Sequence, residues 1–147
     1  RQNMKEHVTC GAFFKKGLDA YCNGDPEKRK IFATGFWHGL AEKVFLGACV
    51  AAMARPSLER HPWARDVFEE IASRYGLVTV PITYDGMTEL WMTKPEHAKE
   101  VSLILECEIN SFDWHWIRGT LCGVPGEDID PVFHTRRGYG KYSDDKD

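Results

Sequence analysis

The sequence lacks the short motifs that most often name a reaction. It has no C-x-x-C pair, no H-E-x-x-H, no G-x-S-x-G and no Walker A loop. Zinc-ribbon, thioredoxin-like, zincin, hydrolase-elbow and P-loop chemistry therefore have no local support. The longest apolar stretch, Val44 to Ala54, is broken by Gly47 and is far shorter than the ~20 residues a transmembrane helix needs. No charged-then-apolar segment opens the chain, so no secretory signal is expected. Opening on Arg1 rather than Met, the chain is expected to derive from a longer one by trimming or excision. No repeat, low-complexity block or dividing linker is visible. A dominant charge is missing too. A formal charge of −3 and a pI near 6.1 give no global drive toward nucleic acid, leaving only a local basic patch as a possible contact.

What is present fits one globular domain spanning 1–147 with a loose tail from about residue 141. The 147 residues are 43% hydrophobic and 28% charged, which is ordinary for a chain large enough to bury a core without staples. Eighteen aromatics, 5 Trp, 5 Tyr and 8 Phe, exclude a disordered chain. Five cysteines at 10, 22, 49, 107 and 122 form an odd set without close pairs, which favours reduced thiols and a cytoplasmic location.

The pattern predicts a helix-rich α+β domain with about five to six helices and one β-hairpin near 77–92. Apolar Val8, Phe14, Leu18 and Tyr21 recur near a period of 3.6 and predict a helix from Met4 to Tyr21. Asp25-Pro26 is a cap-plus-proline start, and Phe32, Phe36, Leu40 and Val44 predict a second helix from Pro26 to about Ala54. Within it, Gly35 and Gly39 flank Trp37-His38 and leave room for another helix, and His38 reads as a hydrogen-bonded core histidine. A third helix begins near Pro62, with Trp63, Val67, Ile71 and Tyr75 as its stripe and Gly76 as its stop. Two β-rich runs around Asp85-Gly86 read as a hairpin with a primed turn, and Pro81 confines its strand to an edge. Two strands alone are marginal, so a third strand or packed helices are expected, from this chain or another subunit. Thr93-Lys-Pro-Glu96 reads as a capping box opening a fourth helix with Ala98, Val101, Leu105 and Ile109. A fifth runs from Ser111 to Leu121, and a short sixth follows Asp130-Pro131.

The candidate site lies in the C-terminal third, where polar, aromatic and glycine residues crowd together. Trp114, Ile117 and Leu121 make a core stripe on the fifth helix, and Ser111, His115, Arg118 and Cys122 fall on a second one. A guanidinium can grip a planar anion through paired hydrogen bonds, and an imidazole can move a proton near neutral pH. The same composition also describes an ordinary solvated helix face. Downstream, His134-Thr-Arg-Arg-Gly-Tyr-Gly-Lys141 adds Arg136, Arg137 and Tyr139, suited to phosphate or an RNA contact, or equally to a solvated tail. The separations of Glu106, Glu108, His115, Cys122 and His134 match no familiar metal spacing. Neither a metal nor a cofactor is expected.

These residues predict a binding module for an anionic, phosphorylated or nucleotide-like small ligand. Arg118, Arg136 and Arg137 would hold its charge, with Trp114, Trp116 or Tyr139 offering a stacking surface. One alternative is a metal-independent phosphodiesterase or nuclease with His115 and His134 as base and acid. Another is an inhibitor or adaptor binding a protein partner, with self-association through the hairpin edge.

Overall fold

The computed structural model describes residues 10–129. Its elements run α1 (Cys10–Cys22), α2 (Pro26–Phe45), β1 (Ala51–Ala54), α3 (Ala64–Arg74), β2 (Val78–Tyr84), β3 (Met87–Thr93), α4 (Ala98–Ser102) and α5 (Phe112–Leu121), with 3-10 turns at Pro95–His97 and Leu103–Glu106 flanking α4. This is the helix-rich α+β architecture expected, with the hairpin in place. Residues 4–9 of the predicted first helix and the element after Pro131 lie outside the described residues.

The hairpin turn is set by its chemistry. Asp85 (φ 50°) and Gly86 (φ 73°) are both left-handed, the geometry whose twist matches that of paired strands. It places Tyr84 opposite Met87 and, counting back, Pro81 opposite Leu90. Bonded and unbonded pairs alternate from the turn, so the position of Pro81 directs its missing N–H away from β3. The sheet order is β1-β3-β2, so β2 is indeed an edge. The third strand comes from this same chain, in a segment expected to be helical.

That difference begins at Gly47. The helix α2 stops at Phe45, Gly47 takes φ +82°, and the Gly47 and Ala48 N–H groups donate back to Val44 and Lys43 at 3.1 and 2.9 Å. This is a Schellman cap, which needs a left-handed residue and satisfies carbonyls the helix would orphan. The same pair of bonds closes α3 at Gly76 and α5 at Gly123. The chain released after Gly47 pairs Ala51 with Thr93 and Ala54 with Leu90.

The central strand β3 is covered on both faces, and Glu89 to Thr93 are all buried. Leu90 and Met92 face the core built by α2 and α3, with Trp37, Leu40, Val44, Phe68 and Ile71. The odd positions face a second core with Val101, Ile104, Trp114 and Leu121. The result is three layers, helices on each side of a small sheet.

Several faces are rotated from expectation. A strict four-residue repeat drifts around a helix, so α2 buries Ala33, Trp37, Leu40, Ala41 and Val44 and leaves Phe32 and Phe36 half-buried. The Phe32 ring packs on Gly17 of α1, where an added Cβ would come within 2.4 Å of it. Nothing lies within 4 Å of a Cβ added at Gly35 or Gly39, so no described helix approaches there. His38 Nδ1 lies 3.3 Å from the Tyr75 hydroxyl. Tyr21 is exposed rather than core-facing. Thr93 is no helix cap: it is a fully buried strand residue whose Oγ1 donates to the Val50 carbonyl at 2.8 Å. The fourth helix is short because the chain tightens into a 3-10 turn, whose period of three buries Ile104 after Val101 and turns Leu105 to solvent. Cys22 and Cys107 are free thiols.

Candidate functional site

Helix α5 starts as its sequence dictates, with the Ser111 hydroxyl accepting the Trp114 N–H at 3.2 Å. Trp114 and Leu121 enter the core. Arg118, on the next stripe, is only 14% exposed and turns inward. Its anion is the chain's own: Nη1 donates to Glu89 Oε1 at 2.5 Å. The guanidinium also lies 4.1 Å from the Trp114 ring centroid and 5.7 Å from that of Trp91, so aromatic faces supply attraction as well as cover.

Glu89 is fully buried in β3 and receives three donors. Trp91 Nε1 shares Oε1 at 3.0 Å, and the Tyr84 hydroxyl donates to Oε2 at 2.5 Å. Arg55, just beyond β1, places Nη1 3.7 Å from Oε2 with its side chain 47% exposed. The register explains this convergence: Ile82 faces Glu89, so Tyr84 is two residues along on the same side. Burial alone would raise the Glu89 pKa, but Arg118, Tyr84 and Trp91 outweigh it and hold the carboxyl below its usual range. Burial first, then the bond to Glu89, pushes Tyr84 up to about 12. At neutral pH the carboxylate stays charged and the phenol stays protonated. This cluster fastens α5 to the sheet.

The expected site residues therefore part company. Arg118 is committed to Glu89, and Trp114 is a buried wall touched edge-on by Tyr84 at 6.0 Å. His115 is half-buried with its ring 4.9 Å from that of Trp114. Trp116 is 38% exposed and stacks on Phe112 at 5.7 Å. His134, Arg136, Arg137 and Tyr139 lie outside the described residues. The chain at 126–129 is helical and packs on α5, since a Cβ at Gly119 would meet Ile129 Cδ1 at 2.8 Å.

A different set of groups surrounds an open cleft of about 670 Å³ at the corner of α1 and α2. Asn23 (φ 44°) and Gly24 (φ 82°) make the turn left-handed and tight. Asp25 then caps α2 by accepting the Glu27 N–H at 2.9 Å, and Arg29 follows one turn later. His61 enters from the loop before α3, its backbone N–H donating to the Ser57 carbonyl at 2.8 Å. Asp19, Cys22, Asn23, Asp25, Arg29 and His61 all line the cleft. Burial, then the positive charges of Arg29 and Arg60, lower the His61 pKa. Arg55 and Arg118 pair with Glu89, Arg65 with Glu69, and Arg74 with Glu70. Arg29 and Arg60 have no such partner among the described residues, although both act on His61. Asp19 is already bridged to Lys15 at 3.0 Å.

A smaller cavity of about 350 Å³ lies where α2 and α5 end, lined by Cys49, Lys94, His97 and Thr120. The carbonyl ends of two helices converge there and oppose the charge of an anion. His97 is already 2.6 Å from Glu100. No group of three His, Cys, Asp or Glu side chains among the described residues is placed to hold a metal ion. No described helix is long and apolar enough to cross a membrane.

Sequence reasoning missed Glu89, Arg29 and His61 as focal residues. Glu89 had a usable signal, a lone acid in an otherwise apolar central strand. Arg29 and His61 had none, because only tertiary packing brings α2 and the β1–α3 loop together. Comparison with protein-family models, with curated proteins and with solved structures gives no match.

Proposed function

We propose that this chain is a binding module for a small anionic ligand, held in the cleft at the α1–α2 corner. The observation that carries the reading is a pair of arginines near His61 that bridge to no carboxylate among the described residues. Arg29 and Arg60 both act on the His61 imidazole and neither forms an ion pair among the described residues, whereas the other four described arginines are paired. An anion beside Arg29 and His61 would accept directed hydrogen bonds from them. A volume of about 670 Å³ falls in the range of small-molecule sites.

The linkage gives a direct test. Burial first, and then the positive charges of Arg29 and Arg60, hold the folded His61 pKa below its ordinary value. A bound anion favours the imidazolium, so its pKa should rise toward or above 6.5. Imidazole resonances followed by NMR against pH, with and without phosphate, measure this. An unchanged His61 titration at about 10 mM phosphate and low ionic strength would count decisively against the site.

A second reading, a protein-interaction module, is favoured by a separate observation. Of nine exposed large apolar side chains among the described residues, four fall between 103 and 116: Leu103, Leu105, Ile109 and Trp116. Exposed tryptophan is a common anchor at interfaces. Sedimentation velocity across a concentration series tests self-association through that surface, and a Trp116→Ala variant that leaves the association constant unchanged would refute it.

A further inference from the structure

From the outward side of α5 and the turn it packs on, we infer a docking surface for a cationic amphipathic segment of another protein. The inference rests on the second reading above and names the chemistry of its partner. Ile104 and Trp114 enter the same core, and α5 packs on the Leu103–Glu106 turn. The 3-10 period turns Leu103 and Leu105 away from Ile104. Two residues along α5, Trp116 points about 200° from Trp114. The outward sides of two adjoining elements are thus apolar, with Leu103, Leu105 and Trp116 at 44, 58 and 38% exposure.

The surface is best defined at Trp116. Its ring stacks on Phe112 with centroids 5.7 Å apart and 21° between planes. Its far edge lies over Gly126, where an added Cβ would come within 3.0 Å of Cη2. Asp113 stands one turn earlier on α5 and Glu127 follows Gly126, both exposed. The indole is set between two acidic positions, so a cation meets an aromatic face and a counter-charge together.

Charge selects the occupant. From Val101 to Ile117 there is no lysine or arginine, while Glu106, Glu108 and Asp113 are exposed. Neither these three nor Glu127 forms an ion pair among the described residues, whereas exposed Asp19, Glu69 and Glu70 are each bridged within a helix. A second copy seated on the same face would bring acid against acid, and an anionic lipid surface would be repelled. A neutral apolar partner would draw nothing from the acids. Lysine and arginine stems cover apolar surface while their heads reach carboxylates. One segment carrying apolar and cationic side chains therefore meets both halves of this surface.

The experiment measures binding of fluorescein-labelled peptides to the intact chain by anisotropy. Three probes share leucines at i, i+3, i+4 and i+7 spacing and carry Lys, Gln or Glu elsewhere. The Lys peptide should bind at least about tenfold tighter than the Gln peptide at about 50 mM salt, and that advantage should shrink severalfold at about 500 mM. The Glu peptide should bind least. Asp113→Asn/Glu127→Gln should remove most of the advantage without weakening the Gln peptide. Glu42→Gln/Glu59→Gln, at exposed acids elsewhere, should leave it unchanged. Trp116→Ala should weaken the Lys and Gln peptides alike, by about tenfold. Equal affinity for the Lys and Gln peptides would overturn the inference and leave the interaction reading standing. An advantage that survives Asp113→Asn/Glu127→Gln would overturn it too, as would no binding of any peptide. Self-association weakened by Trp116→Ala would show a second copy on this face. A gain in peptide affinity on Arg136→Gln/Arg137→Gln would show the chain's own C-terminal segment there, and either result overturns the inference.

Discussion

Replacing Glu89 by glutamine isolates one charge in the interior with little change in shape. The carboxylate is fully buried and Arg118 is 14% exposed. The amide oxygen can take the place of Oε1, which accepts both Arg118 and Trp91. The amide nitrogen can take the place of Oε2, where the Tyr84 hydroxyl can rotate from donor to acceptor. The hydrogen-bond count then survives and only the negative charge is lost. A mostly buried guanidinium is left without a counter-ion, for which the expected loss is about 3–5 kcal/mol. Arg55 is half exposed and can hydrate, so it adds little. The double variant Glu89→Gln/Arg118→Met removes both charges and should recover much of that loss, with a coupling of about 2–3 kcal/mol. Urea unfolding at neutral pH reads all four corners of the cycle. Acid should narrow the difference between wild type and Glu89→Gln. The folded pKa of Glu89 lies below its unfolded value, so its contribution is present above the usual carboxylate range and disappears as pH falls through the folded pKa. A loss below about 1 kcal/mol for the single variant, or strict additivity in the cycle, would refute this account of the cluster.

Three further outcomes follow from other positions. Tyr84, raised to about 12, should contribute stability below pH 10 that is lost as pH rises through the folded value; alkaline unfolding of wild type against Tyr84→Phe checks the sign. Gly119→Ala should cost about 1–3 kcal/mol by overpacking Ile129, whereas Gly35→Ala and Gly39→Ala, on open helix faces, should each stabilise by roughly 1 kcal/mol in the same urea assay. A loss at Gly35 or Gly39 would mean that something covers that face. Pro81→Val restores a donor on the open edge of β2, so concentration-dependent association should increase in sedimentation.

The sequence made legible those features decided within a few residues. Asp85-Gly86 set the hairpin turn, Pro81 its edge, Ser111 the start of α5, and Asp25-Pro26 the start of α2. Where two local patterns competed, the reading went astray. The apolar run through Gly47 continued the helix by composition, yet Gly47 also satisfied the cap that ended it and released β1. Thr93 matched a capping box but was held by Ala51, Val78 and Val50 across the sheet. Arg118 reads in the sequence as a residue for a ligand anion, whereas in the structure it pairs with Glu89, 29 positions away, and no spacing rule connects the two. The cleft groups Arg29 and His61 were illegible for the same reason.

The placement of β1 bears on how the molecule assembles. Pairing Ala51 with Thr93 requires closing a loop that contains α3 and the whole hairpin, whereas β2 and β3 meet across a two-residue turn. The hairpin can therefore form early, and such non-local closure comes late. Until β1 and α5 dock, Glu89 remains hydrated, so the dehydration of that acid is expected to belong to the final stage of folding. Changes at Glu89 should then accelerate unfolding far more than they slow refolding, making the acid a determinant of how long the native state lasts.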